Sequence, residues 1–190
     1  MRLCKTLFLV CFFLKGVDCF LGMKSVNWKM WKTTLDLKTC LDCKDMHGKI
    51  YQMQENIKGY LPMHIRCRCV IEPMKAIRAG RATKDGAGGA DIWLKVLGKL
   101  PPNYISYQDA KKAGWENKKG NLNKVVPGKM LARGRYWNRD GHLPETPWRI
   151  WYEADINYKW GFRGNDRILY SNDGLIFVTY DHYKTFIEIV

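Results

Sequence analysis

The stretch WYEADINYKWGFRGNDRILYSNDG, residues 151–174, decides the fold. Its first residues alternate between two faces, and Trp151, Glu153 and Asp155 share one of them. The run RILYS follows a turn that contains glycine, and the run LIFVT follows the turn SNDG. Short alternating runs joined by tight turns are typical of an antiparallel sheet.

Two helices are predicted before these strands. Asp91 is the candidate N-cap of a short helix through IWLKVLGKL, which ends before Pro101. Ser106 is the candidate N-cap of a second helix in SYQDAKKAGW, and Gly114 is its stop signal. Helices followed by a run of strands indicate an α+β domain with an antiparallel sheet.

The strands bring together side chains that suit RNA cleavage. Neighbouring strands lie about 4.8 Å apart, so Glu153, Arg167 and His182 are expected to line one face, with Arg163 from the intervening loop. In RNA transphosphorylation a carboxylate takes the 2′-hydroxyl proton, an imidazolium protonates the leaving 5′-oxygen, and guanidiniums stabilise the phosphorus centre. No metal or other cofactor is needed, because the nucleophile belongs to the substrate. Each residue taken alone is more often a salt-bridge partner or an exposed turn residue.

Composition limits the class of partner. The chain has 190 residues, a net charge of +14 and 46% hydrophobic residues. It can therefore bury a core, which excludes a disordered tail, and its charge favours polyanions such as RNA over a merely solubilising role. No long amphipathic helix is evident, so no stable membrane association is expected.

The cysteines are confined to the N-terminal part of the chain. Cys40-x-x-Cys43, with His64 and Cys67 downstream, has the donor types of a tetrahedral zinc site. Two disulfides, or four reduced thiols that include Cys69, are the alternatives. Residues 70–190 contain none of the seven cysteines, which is compatible with a domain that crosses between compartments.

Composition shifts divide the chain into four parts. Residues 1–22 are either a signal-like segment or a displaced gene start before Met23. Residues 23–75 form a small appendage rich in Cys and His, and residues 76–90 are predicted to be a flexible, basic, glycine-rich linker. Residues 91–190 are predicted to be the folded domain.

From Leu100 to Val190 the sequence resembles the barnase-like family of small secreted bacterial ribonucleases. The resemblance is carried by LPxNYI, AxxxGW, KGNL, PGK, NRxGxLP, WxEADINYxxGFRxxDRILYSxDxLI and TxDHYxTFxxI. It implies helices packed on a five-stranded antiparallel sheet, the microbial ribonuclease fold. It also implies a metal-independent endoribonuclease that cleaves single-stranded RNA, preferably after guanine, through a 2′,3′-cyclic phosphate.

The same resemblance implies roles for individual residues. Glu153 matches the general base, His182 the general acid, and Arg163 and Arg167 the phosphate-binding arginines. The positions implied to bind substrate are Tyr136, Trp137, Asn138, Arg139, Asp140 and Tyr183. Asp140 stands where the family has a glutamate that reads guanine, so its shorter side chain predicts a weaker guanine preference.

Two departures from the family pattern remove one cation from the site. Tyr107 replaces a lysine close to the phosphate and the general base, and Gly134 replaces the aspartate coupled to that lysine. Transition-state stabilisation is expected to be reduced unless Arg133, Arg135 or Lys111 fills the gap.

Residues 30–73 resemble the C-terminal segment of phage Mu F-like minor head proteins, through T-x-D-x-x-T-C-x-x-C, H-G-K-x-Y and P-x-H-x-x-C-R-C. Segments of this kind are fused to toxins in polymorphic toxin systems. The combination implies a monomeric toxin that is secreted or delivered to target cells and acts on cytoplasmic RNA. An acidic barstar-like immunity protein is then the expected partner. The alternative is a catalytically weakened remnant that binds RNA or belongs to a phage structure.

Overall fold

The computed structural model describes residues 27–57 and 61–190. The described strands are β1 (Trp28–Lys32), β2 (Ile50–Gln52), β3 (Val70–Pro73), β4 (Ala76–Ile77), β5 (Tyr104–Ser106), β6 (Met130–Tyr136), β7 (Trp151–Asp155), β8 (Arg167–Ser171), β9 (Ile176–Thr179) and β10 (Ile187–Ile189). The described α-helices are α1 (Leu41–Met46), α2 (Ala90–Leu97), α3 (Tyr107–Lys112) and α4 (Leu122–Val125). The signal-like or displaced start, residues 1–22, lies outside the described residues.

The larger sheet has seven strands in the order β4-β10-β9-β8-β7-β6-β5. Strands β6 to β10 run antiparallel to their neighbours, whereas β4 and β5 at the two edges run parallel to β10 and β6. The α+β class is confirmed, but the predicted five-stranded antiparallel sheet lacks the two parallel edge strands. The edge strands contain two and three residues, which is too short for a visible alternation.

Apolar side chains of the C-terminal domain pack in three clusters. Helix α2 places Ala90 and Leu94 against Ile168 and Val178 on one face of the large sheet. A small cluster under α3 and α4 contains Ala110, Trp115, Leu122 and Leu131. The third cluster includes Trp151, Leu169 and Phe177 and lies on the opposite face of the sheet, which we call the Glu153 face because it carries that carboxylate.

The helix-capping predictions had different outcomes. Ser106 caps α3 as predicted, since its hydroxyl accepts a hydrogen bond from Asp109 N at 3.0 Å. The prediction that Asp91 caps α2 is wrong, because the helix begins at Ala90 and Gly89 occupies the cap position. Asp91 is instead fully buried, and its carboxylate accepts four hydrogen bonds, from Gly80 N at 2.7 Å, Ala82 N at 2.9 Å, Thr83 Oγ1 at 3.0 Å and Ile92 N at 3.0 Å.

Residues 76–90 differ from the flexible linker that their composition predicts. Strand β4 pairs with β10, and the chain then turns so that Ala82 and Thr83 are buried beside Asp91. Gly89 has no room for a side chain, because a Cβ atom there would collide with Thr83 Oγ1. The buried Asp91 carboxylate, which binds the N–H groups of Gly80 and Ala82, holds a segment whose glycines would otherwise favour disorder.

Strands β1, β2 and β3 form a small sheet, with strand order β2-β1-β3, that packs on the Glu153 face. Trp28, Ile50 and Met74 are buried in one cluster with Trp151 and Phe177 of the large sheet. The rings of Trp28 and Phe177 meet edge to face at a centroid distance of 6.1 Å. The appendage and the C-terminal domain therefore share a hydrophobic core. Among the described helices none is long and apolar enough to cross a membrane.

Substitution of Asp91 tests this account of residues 76–90. Asp91→Ala removes the acceptor of three backbone N–H groups and one hydroxyl, so we expect a loss of about 2–4 kcal/mol in the free energy of unfolding. Urea denaturation of the full chain measures it. Asp85→Ala, an exposed carboxylate of the same segment, is the matched control. Equal effects of the two variants would contradict the role of Asp91.

Candidate active site

Glu153 lies at the centre of β7 with its side chain held from two sides. It is 6% exposed, and the register pairs it with Gly134 on β6 and Leu169 on β8. The Tyr183 hydroxyl donates a hydrogen bond to Glu153 Oε2 at 2.7 Å, and Arg133 Nε lies 3.0 Å from Oε1. The carboxylate therefore has a fixed orientation, with one cation and one phenol in contact.

Arg133 reaches Glu153 because β6 contains an irregularity. Ala132 pairs with Ala154, but Gly134 pairs with Glu153, so Arg133 is an extra residue between two regular pairs. Such a β-bulge turns a side chain that regular pairing would place elsewhere, and bulges recur beside active sites.

Two arginines share a single buried carboxylate. Asp155 is 1% exposed and contacts Arg163 at 2.5 and 2.6 Å, while Arg167 Nε lies 3.2 Å from it. Burial works against the charge of Arg163, but Asp155 raises the pKa of its guanidinium. The sequence placed Asp155 on the same face as Glu153 without a role, and the structure shows that it fixes both predicted phosphate ligands.

His182 lies on a left-handed turn after β9. His182 and Tyr183 both have positive φ, at 59° and 69°, and their rings are 4.8 Å apart. The carboxylate of Asp181 holds the turn by accepting hydrogen bonds from Lys184 N, Thr185 N, Thr179 Oγ1 and Thr185 Oγ1. These bonds make the unusual backbone conformation a stable one, and they leave the imidazole exposed.

Four of these side chains line one pocket, which we call the cationic pocket. It has a volume of about 290 Å³, and its lining includes His182 and three guanidiniums, those of Arg133, Arg163 and Arg167. Tyr107 also lines it and packs edge to face on Trp115 at 5.3 Å. A pocket with three arginines and an imidazole beside a carboxylate suits a phosphodiester with a proton donor and acceptor.

Comparison with known proteins identifies the domain that carries this pocket. A family model described as ribonuclease matches residues 94–190. The chain belongs to the ribonuclease family. A ribonuclease of Heyndrickxia coagulans is 50% identical over 102 residues, which are 54% of this chain and 93% of that protein.

This chain covers a smaller share of two further relatives. The ribonucleases of Bacillus intermedius and Bacillus pumilus are each 50% identical over 102 residues, 54% of this chain, which spans 62% of their length. A second family model, described as phage Mu protein F like protein, matches residues 22–72. Both resemblances found in the sequence are therefore confirmed, and the ribonuclease domain is preceded by a phage Mu F-like segment.

One of the three candidate cations lies at Glu153. Of the three candidates, only Arg133 contacts Glu153. The Arg135 guanidinium lies over the Trp137 ring at 4.1 Å, and Lys111 Nζ lies near the rings of Tyr107 and Trp115. The cation in contact with Glu153 is thus carried by strand β6.

The predicted substrate-binding residues are arranged in two ways. Tyr136 stacks on Tyr183 at 5.5 Å, whereas Trp137, Arg139 and Asp140 are exposed. Burial, and next the charge of Glu153, raise the pKa of Tyr183 to about 12, so its hydroxyl keeps the proton that it donates to Glu153 at neutral pH.

The Asn138 side chain is hydrogen-bonded within its own loop. It is buried with φ of 44°, its amide donates to Leu143 O at 2.8 Å and to Glu145 Oε1 at 2.7 Å, and its oxygen accepts from Leu143 N at 3.0 Å. Asn138 therefore positions the loop. The catalytic and substrate-binding roles of all these residues, Asn138 included, stay predictions.

The predicted zinc ligands converge in the phage Mu F-like segment. His64 Nε2 lies 3.2 Å from Cys40 Sγ and 3.1 Å from Cys43 Sγ, and Cys43 Sγ lies 3.9 Å from Cys67 Sγ. His64 Nδ1 hydrogen-bonds Ile65 O at 2.8 Å, which leaves Nε2 directed at the sulfurs. The described cysteines, including Cys69, are free thiols.

The donor atoms form two groups that share Cys43, one with Cys40 and His64 and the other with Cys67 and Cys69, and the atoms of each group lie within 4.8 Å of one another. Both groups have the donor types of a zinc site. Zinc–sulfur bonds of about 2.3 Å place two thiolates about 3.8 Å apart, close to the separation of Cys43 and Cys67. Burial opposes ionisation of Cys67, but hydrogen bonds from the backbone of Cys69 and Met63 lower the pKa of its thiol to about 7. A thiolate is the form that binds zinc.

Proposed function

We propose that the protein is a toxin-type endoribonuclease that cleaves single-stranded RNA by acid–base transphosphorylation, with a preference for guanine. The observation that carries the proposal is the position of Glu153, held between Arg133 and Tyr183 beside a pocket with His182 and three arginines. Membership of the ribonuclease family supports RNA as the substrate.

In the proposed reaction Glu153 is the general base and His182 the general acid. Glu153 takes the proton of the 2′-hydroxyl, whose oxygen then bonds to phosphorus, and the bond from phosphorus to the 5′-oxygen breaks as protonated His182 gives that oxygen a proton. The products are a 2′,3′-cyclic phosphate and a 5′-hydroxyl. Arg163, Arg167 and Arg133 stabilise the charge on the phosphorane oxygens, so the proposed step uses no cofactor.

Guanine preference is assigned to the loop of residues 136–140. The stacked pair of Tyr136 and Tyr183 offers an aromatic surface for a base, and the exposed Asp140 carboxylate is the acceptor for the guanine edge. Because aspartate is one methylene shorter than the family's glutamate, the preference for guanine over adenine should be weaker than in relatives that keep the glutamate.

The toxin role is proposed from the joining of two segments. A ribonuclease domain follows a phage Mu F-like segment, and this pairing supports secretion or delivery into a target cell whose cytoplasmic RNA is cleaved. The net charge of +14 and the cationic pocket support an acidic barstar-like immunity protein as partner of a monomer.

Cleavage of a guanosine-containing oligoribonucleotide by the full chain tests the activity. Glu153→Gln and His182→Ala each remove one proton-transfer group, so kcat should fall by a factor of about 10² to 10⁴ in each. Detection of the cyclic phosphate by mass spectrometry identifies the product. Glu116→Gln, which changes an exposed carboxylate that pairs with Lys119, is the control.

The remnant alternative has a specific observation in its favour, the loss of the lysine and aspartate at positions 107 and 134. If the folded parent binds RNA and releases no cyclic phosphate, the alternative is correct and the ribonuclease proposal is wrong. If the parent cleaves but Glu153→Gln cleaves equally well, the assignment of the base is wrong.

We also propose that Arg133 replaces the cation that is absent at position 107, and a second pair of variants tests this. Arg133→Ala removes the cation at Glu153, and we expect kcat to fall about 10- to 100-fold. Adding Tyr107→Lys to Arg133→Ala should restore part of the rate, because the lysine returns a cation to the same pocket. Arg135→Ala, whose guanidinium lies over Trp137, is the matched control. A double variant no faster than Arg133→Ala would contradict the compensation.

We assign a structural zinc ion to Cys40, Cys43, His64 and Cys67 in the phage Mu F-like segment. The full chain should contain about one zinc ion per molecule, measured by elemental analysis after extensive dialysis. Cys67→Ser should lose most of the metal and lower the melting temperature. Cys69→Ser is the comparison, since the Cys69 sulfur contacts Thr33 Oγ1 at 2.9 Å, and equal loss in both variants would overturn the ligand assignment.

A further inference from the structure

The phage Mu F-like segment meets the proposed site at one glycine. Gly48 follows His47 at the end of helix α1, within the H-G-K-x-Y motif, and its backbone has φ of 86°. A Cβ atom placed on Gly48 would lie 3.3 Å from Lys184 O and 3.6 Å from His142 Nε2. A side chain at this position would therefore press on the Lys184 carbonyl and touch the His142 ring.

Gly48 contacts two different loops of the proposed site. We call residues 136–142 the base loop, because it contains Asp140, and residues 181–185 the acid turn, because it contains His182. Each contacted residue lies two positions after the side chain that gives its loop a role. A displacement of either contact therefore moves one of these two side chains.

Further contacts join the same three elements. Ile50 N donates a hydrogen bond to His142 O at 3.0 Å. The His142 ring meets the ring of Phe186, directly after the acid turn, edge to face at 6.0 Å. Tyr136 of the base loop stacks on Tyr183 of the acid turn. The base loop, the acid turn and the phage Mu F-like segment therefore form one junction, in which each element touches the other two.

The turn at Gly48 is fixed on its other side by the small sheet. Gly48 N donates to Trp31 O at 2.8 Å, and Trp31 N donates to Lys49 O at 2.9 Å. Thr33 N donates to His47 Nδ1 at 3.0 Å, and the Trp31 side chain is fully buried. A turn held in this way resists displacement, so the loops that it meets take their position from it.

The acid turn depends on support from its surroundings. His182 and Tyr183 are consecutive residues with positive φ, a conformation that persists only where neighbouring groups hold it. Asp181 holds the turn from within, by accepting a hydrogen bond from Lys184 N at 3.1 Å. The contact of Gly48 with the Lys184 carbonyl limits the turn from outside.

We propose that Gly48 is a positioning residue of the ribonuclease site, through which the phage Mu F-like segment sets the distance between the base loop and the acid turn. Gly48 acts through Asp140 and His182 and touches no substrate itself. The inference rests on the proposed ribonuclease function, and it adds a contribution of the phage Mu F-like segment to base preference and to rate.

Cleavage by the full chain tests the role of Gly48. In Gly48→Ala the methyl group displaces the Lys184 carbonyl, so kcat for a dinucleotide with guanosine 5′ of the cleaved bond should fall on the order of 10-fold. The ratio of kcat/KM for guanosine over adenosine dinucleotides should fall on the order of 3-fold, because the base loop moves as well. A variant that is merely less stable contains less folded enzyme, which lowers both rates equally and leaves the ratio unchanged.

Two further variants separate the contact from backbone strain. Gly98, after helix α2, has φ of 66°, and its Cβ position is open space among the described residues. Gly98→Ala therefore carries similar strain without the contact, and it should keep the parent kcat and base ratio. Gly48→Asn carries less strain, because asparagine adopts the left-handed conformation more readily than alanine, but it keeps the contact and should be no faster than Gly48→Ala. Equal kcat values and base ratios for Gly48→Ala and Gly98→Ala, or a parental rate for Gly48→Asn, overturn the inference.

NMR spectra separate this inference from the activity. ¹H–¹⁵N spectra of the labelled full chain need neither cleavage nor a ligand. The amide signals of Asp140 and His182 should shift in Gly48→Ala and coincide with those of the parent in Gly98→Ala. A parent that cleaves no RNA defeats the proposed function, yet the spectra still report on the junction. Asp140 and His182 signals that stay at the parent positions in Gly48→Ala, or that shift equally in both variants, overturn the positioning role.

Discussion

The two-residue period of β7 is the constraint on which the rest of the structure depends. Trp151 packs into the core shared with the N-terminal segment, Glu153 meets Arg133 and Tyr183, and Asp155 holds two arginines. All three side chains leave the same face, and the register with β8 is continuous along the strand. A slip of one residue would turn all three to the opposite face, so apolar packing at one end of β7 fixes the chemistry at the other.

Local patterns predicted the parts of the site that one strand or one turn determines. The alternation in residues 151–155 placed Glu153 on the correct face, and Ser106 was recognised as a cap because its partner lies three residues away. The resemblance to ribonucleases from Leu100 to Val190 predicted the α+β fold class. These features depend on neighbours in sequence, which a single chain displays directly.

Features that depend on distant partners were not predictable. In the sequence Asp91 has the pattern of a helix cap. In the fold its carboxylate instead accepts hydrogen bonds from Gly80 N and Ala82 N of the preceding segment. The bulge at Arg133 is set by pairing with β7, and glycine at the next position gives no sign of where the arginine will point. The packing of Trp28 against Phe177 joins residues that no local pattern connects, so the sequence indicated an appendage where the structure has a shared core.

Strand β10 lies between β4 and β9, and this position has a consequence for the order of events during synthesis. Trp28, Ile50 and Met74 leave the ribosome long before Phe177 and Phe186, the residues that bury them. Contacts so far apart along the chain form late and slowly. A nascent chain therefore holds no assembled nuclease until its last strands have emerged, which separates translation of the protein from the appearance of its activity.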